Sequence, residues 1–201
     1  MPHFAIIPAA GRSQRMGQAK LLMRWQDSTL IEHVIRVWRG SRVTRIVVVA
    51  RSDDVELADV LGGQDIDLVT PDVPPDEMKA SVSLGLKHVA QNYHPASHDA
   101  WLLAPADMPS LSPRVINRLL DEQLDDPRSI LVAANDGQRG HPVLFPWPMA
   151  DEVHALDELE GVNALLDRHP VRLIECGDQG ILDDVDTPDD YQRLKNRHNR
   201  N

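Results

Sequence analysis

The chain has 201 residues, 42% hydrophobic and 26% charged, an ordinary globular composition that excludes disorder over most of its length. With 21 Lys and Arg against 31 Asp and Glu, the formal charge is −10. That excludes a nonspecific grip on nucleic acid, which needs a basic face, but not a small basic pocket for phosphates.

The predicted elements alternate along the chain. Met1 to Pro8 holds too short an apolar run for a signal peptide, and no stretch approaches the ~20 apolar residues of a membrane span. A cytoplasmic protein with no membrane attachment is expected, and the lone Cys176 fits a reducing compartment. Phe4 to Ile7 reads as a first strand. Leu30, Val34, Val37 and Trp38 recur at helical spacing. Arg45 to Ala50 is a continuous β-branched run, the mark of a strand covered on both faces. Ile66 to Val69 is a weaker strand, Pro71 to Pro75 a surface loop, and Val82, Leu86 and Val89 a helical stripe. A second loop is expected from Asn92 to His98. Strands follow at Ala100 to Ala104 and Ser129 to Ala134, with the stripe Val115, Leu119 and Leu120 between them. Pro142 to Phe145 and Val171 to Ile174 look like later, edge strands. Ser112-Pro113 and Thr187-Pro188 each set a capping residue before Pro at the first helical position. This alternation predicts an α/β fold with a mostly parallel sheet flanked by helices. No Pro/Gly/Ser-rich linker divides it, so a single domain over residues 1–201 is expected.

The first strand runs into Ala9-Ala10-Gly11-Arg12-Ser13-Gln14-Arg15-Met16-Gly17-Gln18-Ala19-Lys20. Glycine lets backbone N–H groups approach anionic oxygens, and Arg15 and Lys20 can add full charge where phosphates sit. The spacing is neither that of a P-loop nor that of the dinucleotide fingerprint. A basic surface loop with two turn glycines remains the plain alternative. Two further carboxylates stand at element ends, Asp107 in Ala104-Pro105-Ala106-Asp107-Met108-Pro109 and Asp186 in Asp183-Asp184-Val185-Asp186-Thr187-Pro188. A sheet of this class binds ligands beyond its carboxyl ends. Two such carboxylates suit shared ligation of Mg²⁺, which takes few protein oxygens. Taken singly, each fits equally well as a turn or cap residue.

Taken together, the segments resemble the MobA-like nucleotidyltransferase family. The resemblance covers Ala9 to Leu22, Met78 to Leu86, Asp107-Met108-Pro109, Gly140-His141-Pro142-Val143-Leu144-Phe145 and Asp184 to Tyr191, in the family's order. It implies a Rossmann-like nucleotidyltransferase fold and Mg²⁺ held by Asp107 and Asp186. It further implies that Ala9, Ala10, Gly11, Arg12, Ser13, Arg15, Lys20, Ser81 and Asp107 bind the nucleotide, with Arg15, Lys20, Asp107 and Asp186 catalytic. Gly140, His141 and Pro142 match a segment on the acceptor side. The implied reaction moves CMP from CTP to the phosphate of a molybdopterin-type acceptor and releases pyrophosphate, with a molybdoenzyme as a candidate partner. GTP, a sugar phosphate acceptor, or a non-catalytic carrier of a pterin cofactor are the alternatives. Asn163 stands where the family's pattern has arginine.

Overall fold

The β-branched and apolar runs pair into one seven-stranded sheet of order β5-β4-β1-β6-β8-β7-β9 in the computed structural model, which describes residues 1–12 and 16–198. The strands are β1 (His3–Pro8), β4 (Arg45–Val49), β5 (Asp67–Val69), β6 (Ala100–Leu103), β7 (Ile130–Asn135), β8 (Gln138–Pro146) and β9 (Val171–Glu175). Two short strands, β2 (Arg24–Trp25) and β3 (Ser28–Thr29), form a separate hairpin. β8 alone runs against its neighbours; every other pairing in the large sheet is parallel.

Side-chain alternation sends the two halves of each strand pattern to opposite faces. Ala5, Ile7, Ile46, Val48 and Leu102 pack beneath α1 (Leu30–Arg39) and α4 (Pro113–Asp125). Phe4, Ile6, Val47, Trp101 and Phe145 pack beneath α3 (Met78–Tyr93) and α5 (Met149–His154). Both faces are thus covered, as the continuous run Arg45 to Ala50 predicts. Gly85 lets α3 lie close to the sheet, since a Cβ there would stand 3.0 Å from Ile6 Cγ2 and 3.3 Å from Val49 Cγ2. Trp101 and Phe145 stack across β6 and β8 with ring centroids 4.2 Å apart.

The expected caps form. Ser112 accepts from the Val115 amide ahead of Pro113, and Thr187 and Asp190 bond reciprocally at the start of α7 (Pro188–His198). The helices α2 (Val55–Gly62) and α6 (Ala164–Arg168) are too short to carry a periodic signal.

Three expectations need correction. Pro142 to Phe145 is no edge strand: β8 lies between β6 and β7. Pro142 has no N–H to give a ladder, and it is accommodated where the register of β7 against β8 shifts, between Val132↔Val143 and Ala134↔Arg139. Pro75, expected in a surface loop, is buried. The loop after α3 begins only at His94, which takes a left-handed backbone.

β1 leads outward to β4 and β5, and the chain then returns to place β6 on the other side of β1. The switch point of the sheet therefore lies between the ends of β1 and β6, where ligands bind in folds of this class. No helix among the described residues is long and apolar enough to cross a membrane.

Candidate active site

Two clefts open at this switch point and share Pro105. The first, of about 150 Å³, is floored by Ala9, Ala10 and Gly11 after β1 and walled by Pro75, Met78 and Ser81. Its floor is fixed by main-chain bonds: the Ala9 amide donates to the Val49 carbonyl at 2.8 Å and the Ala106 amide to the Pro8 carbonyl at 3.3 Å. The Ser81 residue is 2% exposed and borders this cleft from the first turns of α3.

Lys20 and Asp107 close the inner end. Lys20 opens a single 3-10 turn, Lys20–Leu22, anchored by buried Leu21. Its ammonium donates to Asp107 Oδ2, to the Val185 carbonyl at 3.0 Å and to Asp186 Oδ1 at 3.3 Å. The Lys20 and Asp107 side chains are each 14% exposed, and Asp186 is 38% exposed. The Val185 amide in turn donates to the Asp107 carbonyl at 3.0 Å, so the segments carrying the two carboxylates are joined backbone to backbone.

Glycines set that join. A Cβ at Gly140 would meet the Ile181 carbonyl oxygen at 2.4 Å, and one at Gly180 would meet the Ser110 carbonyl oxygen at 2.1 Å. β8 and the segment after Asp107 thus clasp the 3-10 turn Gln179–Leu182, which leads into Asp183-Asp184-Val185-Asp186. Asp183 is anchored by Arg193 and Arg197 of α7.

The second cleft, of about 490 Å³, lies between β8 and α6, lined among others by Arg139, Gly140, His141, Asn163 and Asp184. Burial lowers the His141 pKa below its ordinary value, so the ring is neutral near pH 7. Burial raises the Asp184 carboxyl, and the negative charges of Asp107, Asp186 and Asp190 raise it further.

The structure brings Ala9, Ala10, Gly11, Lys20, Ser81 and Asp107 to the first cleft, sets Asp186 against Lys20, and places Gly140 and His141 in the second. Arg12 is exposed, and its charge acts on Asp53, which forms a fork of two 2.7 Å bonds with Arg51. Pro142 borders neither cleft. Ser13 and Arg15 lie outside the described residues. Sequence reasoning missed Pro75, Asp76 and Glu77 in the first cleft and Asp184 in the second; the stretch before α3 carries no motif to mark it.

Asp107 Oδ1 is buried without a hydrogen-bond partner among the described residues. An orphaned carboxylate oxygen beside a second carboxylate fits a hard, oxygen-seeking divalent cation. Among the described residues no group of three or more His, Cys, Asp and Glu is arranged to hold a metal ion.

A parallel-sheet switch point bearing a lysine set between two carboxylates is a site suited to a phosphate-bearing ligand in an α/β enzyme. The chain belongs to the MobA-like NTP transferase domain family, whose model matches residues 5–173, and it is a nucleotidyltransferase. It is 31% identical over 180 residues to the molybdenum cofactor guanylyltransferase of Rhodopseudomonas palustris (strain HaA2), covering 85% of this chain and 79% of that one. It is 26% identical over 195 residues to the molybdenum cofactor cytidylyltransferase of Escherichia coli (strain K12), covering 96% and 95%. Among solved structures it resembles Rv0371c from Mycobacterium tuberculosis H37Rv, with a TM-score of 0.81 at 27% identity over 98% of this chain and 99% of that one. Rv0371c also has a structure in complex with manganese, with a TM-score of 0.77 at 25% identity and the same coverage.

Proposed function

We propose that the chain transfers CMP from CTP to the phosphate of a molybdopterin-type acceptor and releases pyrophosphate. The observation that carries this reading is the meeting of Lys20, Asp107 and Asp186 between two clefts, one suited to a nucleotide and one to its acceptor. Relatives named for both guanylyl and cytidylyl transfer to the molybdenum cofactor support the acceptor class. The manganese complex of Rv0371c supports dependence on a divalent ion.

In this reading the base lies on Ala9 and Ala10 against Ser81. The triphosphate follows the loop from Gly11, Arg12 and Ser13 to Arg15 and Lys20. The acceptor enters past Gly140 and His141. An acceptor phosphate oxygen attacks the α-phosphorus, and pyrophosphate leaves in line. A phosphate monoester is already ionised near neutral pH, so no strong general base is needed, and positioning and charge stabilisation do the work. Asp107 and Asp186 hold Mg²⁺, which when bound offsets the charge of donor and acceptor oxygens. Arg15 and Lys20 stabilise the leaving pyrophosphate. His141, neutral in its buried position, can donate one hydrogen bond without adding charge. A molybdoenzyme is the expected recipient of the product.

CTP is favoured over GTP because Ala10, 7% exposed, puts a methyl group in the floor of a small cleft, where it crowds a purine more than a pyrimidine. The test is pyrophosphate release with CTP or GTP, Mg²⁺ and molybdopterin. Release with CTP is expected, and release with GTP alone would reassign the nucleotide. Asp107→Ala and Asp186→Ala should each lower kcat by about 10²–10³. Because both act through one ion, the double variant should be little worse than the poorer single. Full activity in Asp107→Ala would overturn the mechanism.

A further inference from the structure

We infer that Lys20 is the resident counter-cation of the Asp107–Asp186 pair, and that it makes divalent metal binding conditional on nucleotide. The inference rests on the assignment of these carboxylates as the metal site. Three geometric facts support it.

First, a single ammonium has three donors, and Lys20 directs them to Asp107 Oδ2, Asp186 Oδ1 and the Val185 carbonyl. It spans the two carboxylates that a metal would have to bridge. Second, Lys20 and Asp107 are mostly withdrawn from water, so a divalent ion entering beside the ammonium meets repulsion that solvent screens little. Third, the pair does not need Lys20 to stay assembled. The Val185 amide bonded to the Asp107 carbonyl, with Gly140 and Gly180 seated against Ile181 and Ser110, keeps the two segments together when the side chain swings away.

Lys20 also borders the nucleotide cleft, on a flexible four-carbon stem. A triphosphate in that cleft offers the ammonium new anionic oxygens. Lysine then leaves the carboxylates for the phosphates, and the metal takes its place. Without nucleotide the ammonium stays on the two carboxylates, and metal binds weakly. The coupling is reciprocal: the factor by which nucleotide strengthens metal binding is the factor by which metal strengthens nucleotide binding. Lys20 therefore acts as a positioning residue before it acts on the leaving group, and it keeps the site from filling with metal before substrate arrives.

The test uses Mn²⁺ alone as probe, with free ion read by electron paramagnetic resonance in the absence of nucleotide. Lys20→Met should bind Mn²⁺ at least about tenfold more tightly than the native protein, within the usual range of such couplings. Adding Asp107→Asn to Lys20→Met should abolish the gain. Lys20→Gln, which can still donate to the Val185 carbonyl, guards against misfolding of Lys20→Met and should show the same direction. As a second readout, Mn²⁺ should raise the Tm of either variant more than that of the native protein. A lysine with a merely structural role would lower Tm and leave Mn²⁺ affinity unchanged, and that result in a folded variant overturns the inference. Failure of the functional reading is separate: it shows as no pyrophosphate release by the native protein, whatever the Mn²⁺ titrations give.

Discussion

A Cβ at position 140 would lie 2.4 Å from the Ile181 carbonyl oxygen, and backbone cannot yield as a side chain tip can. Gly140→Ala should therefore push the 3-10 turn Gln179–Leu182 off β8 and pull Asp184 and Asp186 away from Asp107. Overpacking of this kind costs about 1–3 kcal/mol. Denaturant unfolding should show that loss, and kcat should fall with it; an alanine variant of native stability would show that the contact relaxes freely. Ala10 gives a prediction of the opposite kind. Ala10→Gly removes one methyl from the cleft floor and should leave stability nearly intact, while the preference for CTP over GTP in kcat/KM narrows by a factor consistent with ~1–3 kcal/mol. An unchanged ratio would remove Ala10 from base selection. Legibility differs among these residues. Asp107 and Asp186 stand at element ends that the sequence marks, and the fold sets both against Lys20. The glycine roles were not legible, because Gly140 and Gly180 answer to carbonyl oxygens 41 and 70 positions away in the chain. Contacts at that separation leave no local pattern.

At the scale of elements, helix starts were read most securely, because capping is chemistry confined to four residues. Thr187 and Asp190 show it: Thr187 Oγ1 accepts from the Asp190 amide at 3.2 Å, and Asp190 Oδ2 accepts from the Thr187 amide at 3.1 Å. Thr187→Ala removes one half of this exchange and should destabilise by about 1 kcal/mol. α7 begins two residues after Asp186, so fraying there should also weaken Mn²⁺ binding in the presence of CTP. A stability loss with unchanged metal affinity would confine the cap to a structural role. Strand placement in the sheet was less legible. The Pro142 segment suggested an edge, since proline withholds a ladder donor, but the register shift between β7 and β8 absorbs that defect and Val143, Leu144 and Phe145 are buried in the sheet interior. Asp136-Gly137, with φ of 52° and 76°, forms the two-residue turn between paired Asn135 and Gln138. This Asp-Gly signal for a hairpin was present in the sequence and would have reversed β8.

Across the whole molecule, burial also predicts sensitivity to acid. His3, His33, His141 and His198 all have pKa values lowered from 6.5, burial being the largest cause at each. The unfolded chain then binds protons that the folded one refuses. This stabilisation is complete above the unfolded value near 6.5 and is lost as pH falls from there through the folded pKa values. Tm should drop between pH 7.5 and pH 5.5. His33→Gln, which keeps a donor for the Pro109 carbonyl at 3.1 Å, should lessen the drop; a slope identical to that of the native protein would exclude His33 as a contributor. The α/β class and most strands were legible from periodicity alone, but strand order and the division of the site into two clefts were not, since both arise only when the sheet assembles. The reversed course of β8 has a consequence for how such a catalyst can diverge. Its hairpin with β7 reaches the switch-point end of the sheet and supplies Gln138, Arg139, Gly140 and His141 to the second cleft alone. Insertions at Asp136-Gly137 would reshape one cleft and leave the other untouched, so under the proposed function the hairpin is a separable module through which new acceptors can be recruited to an unchanged nucleotide chemistry.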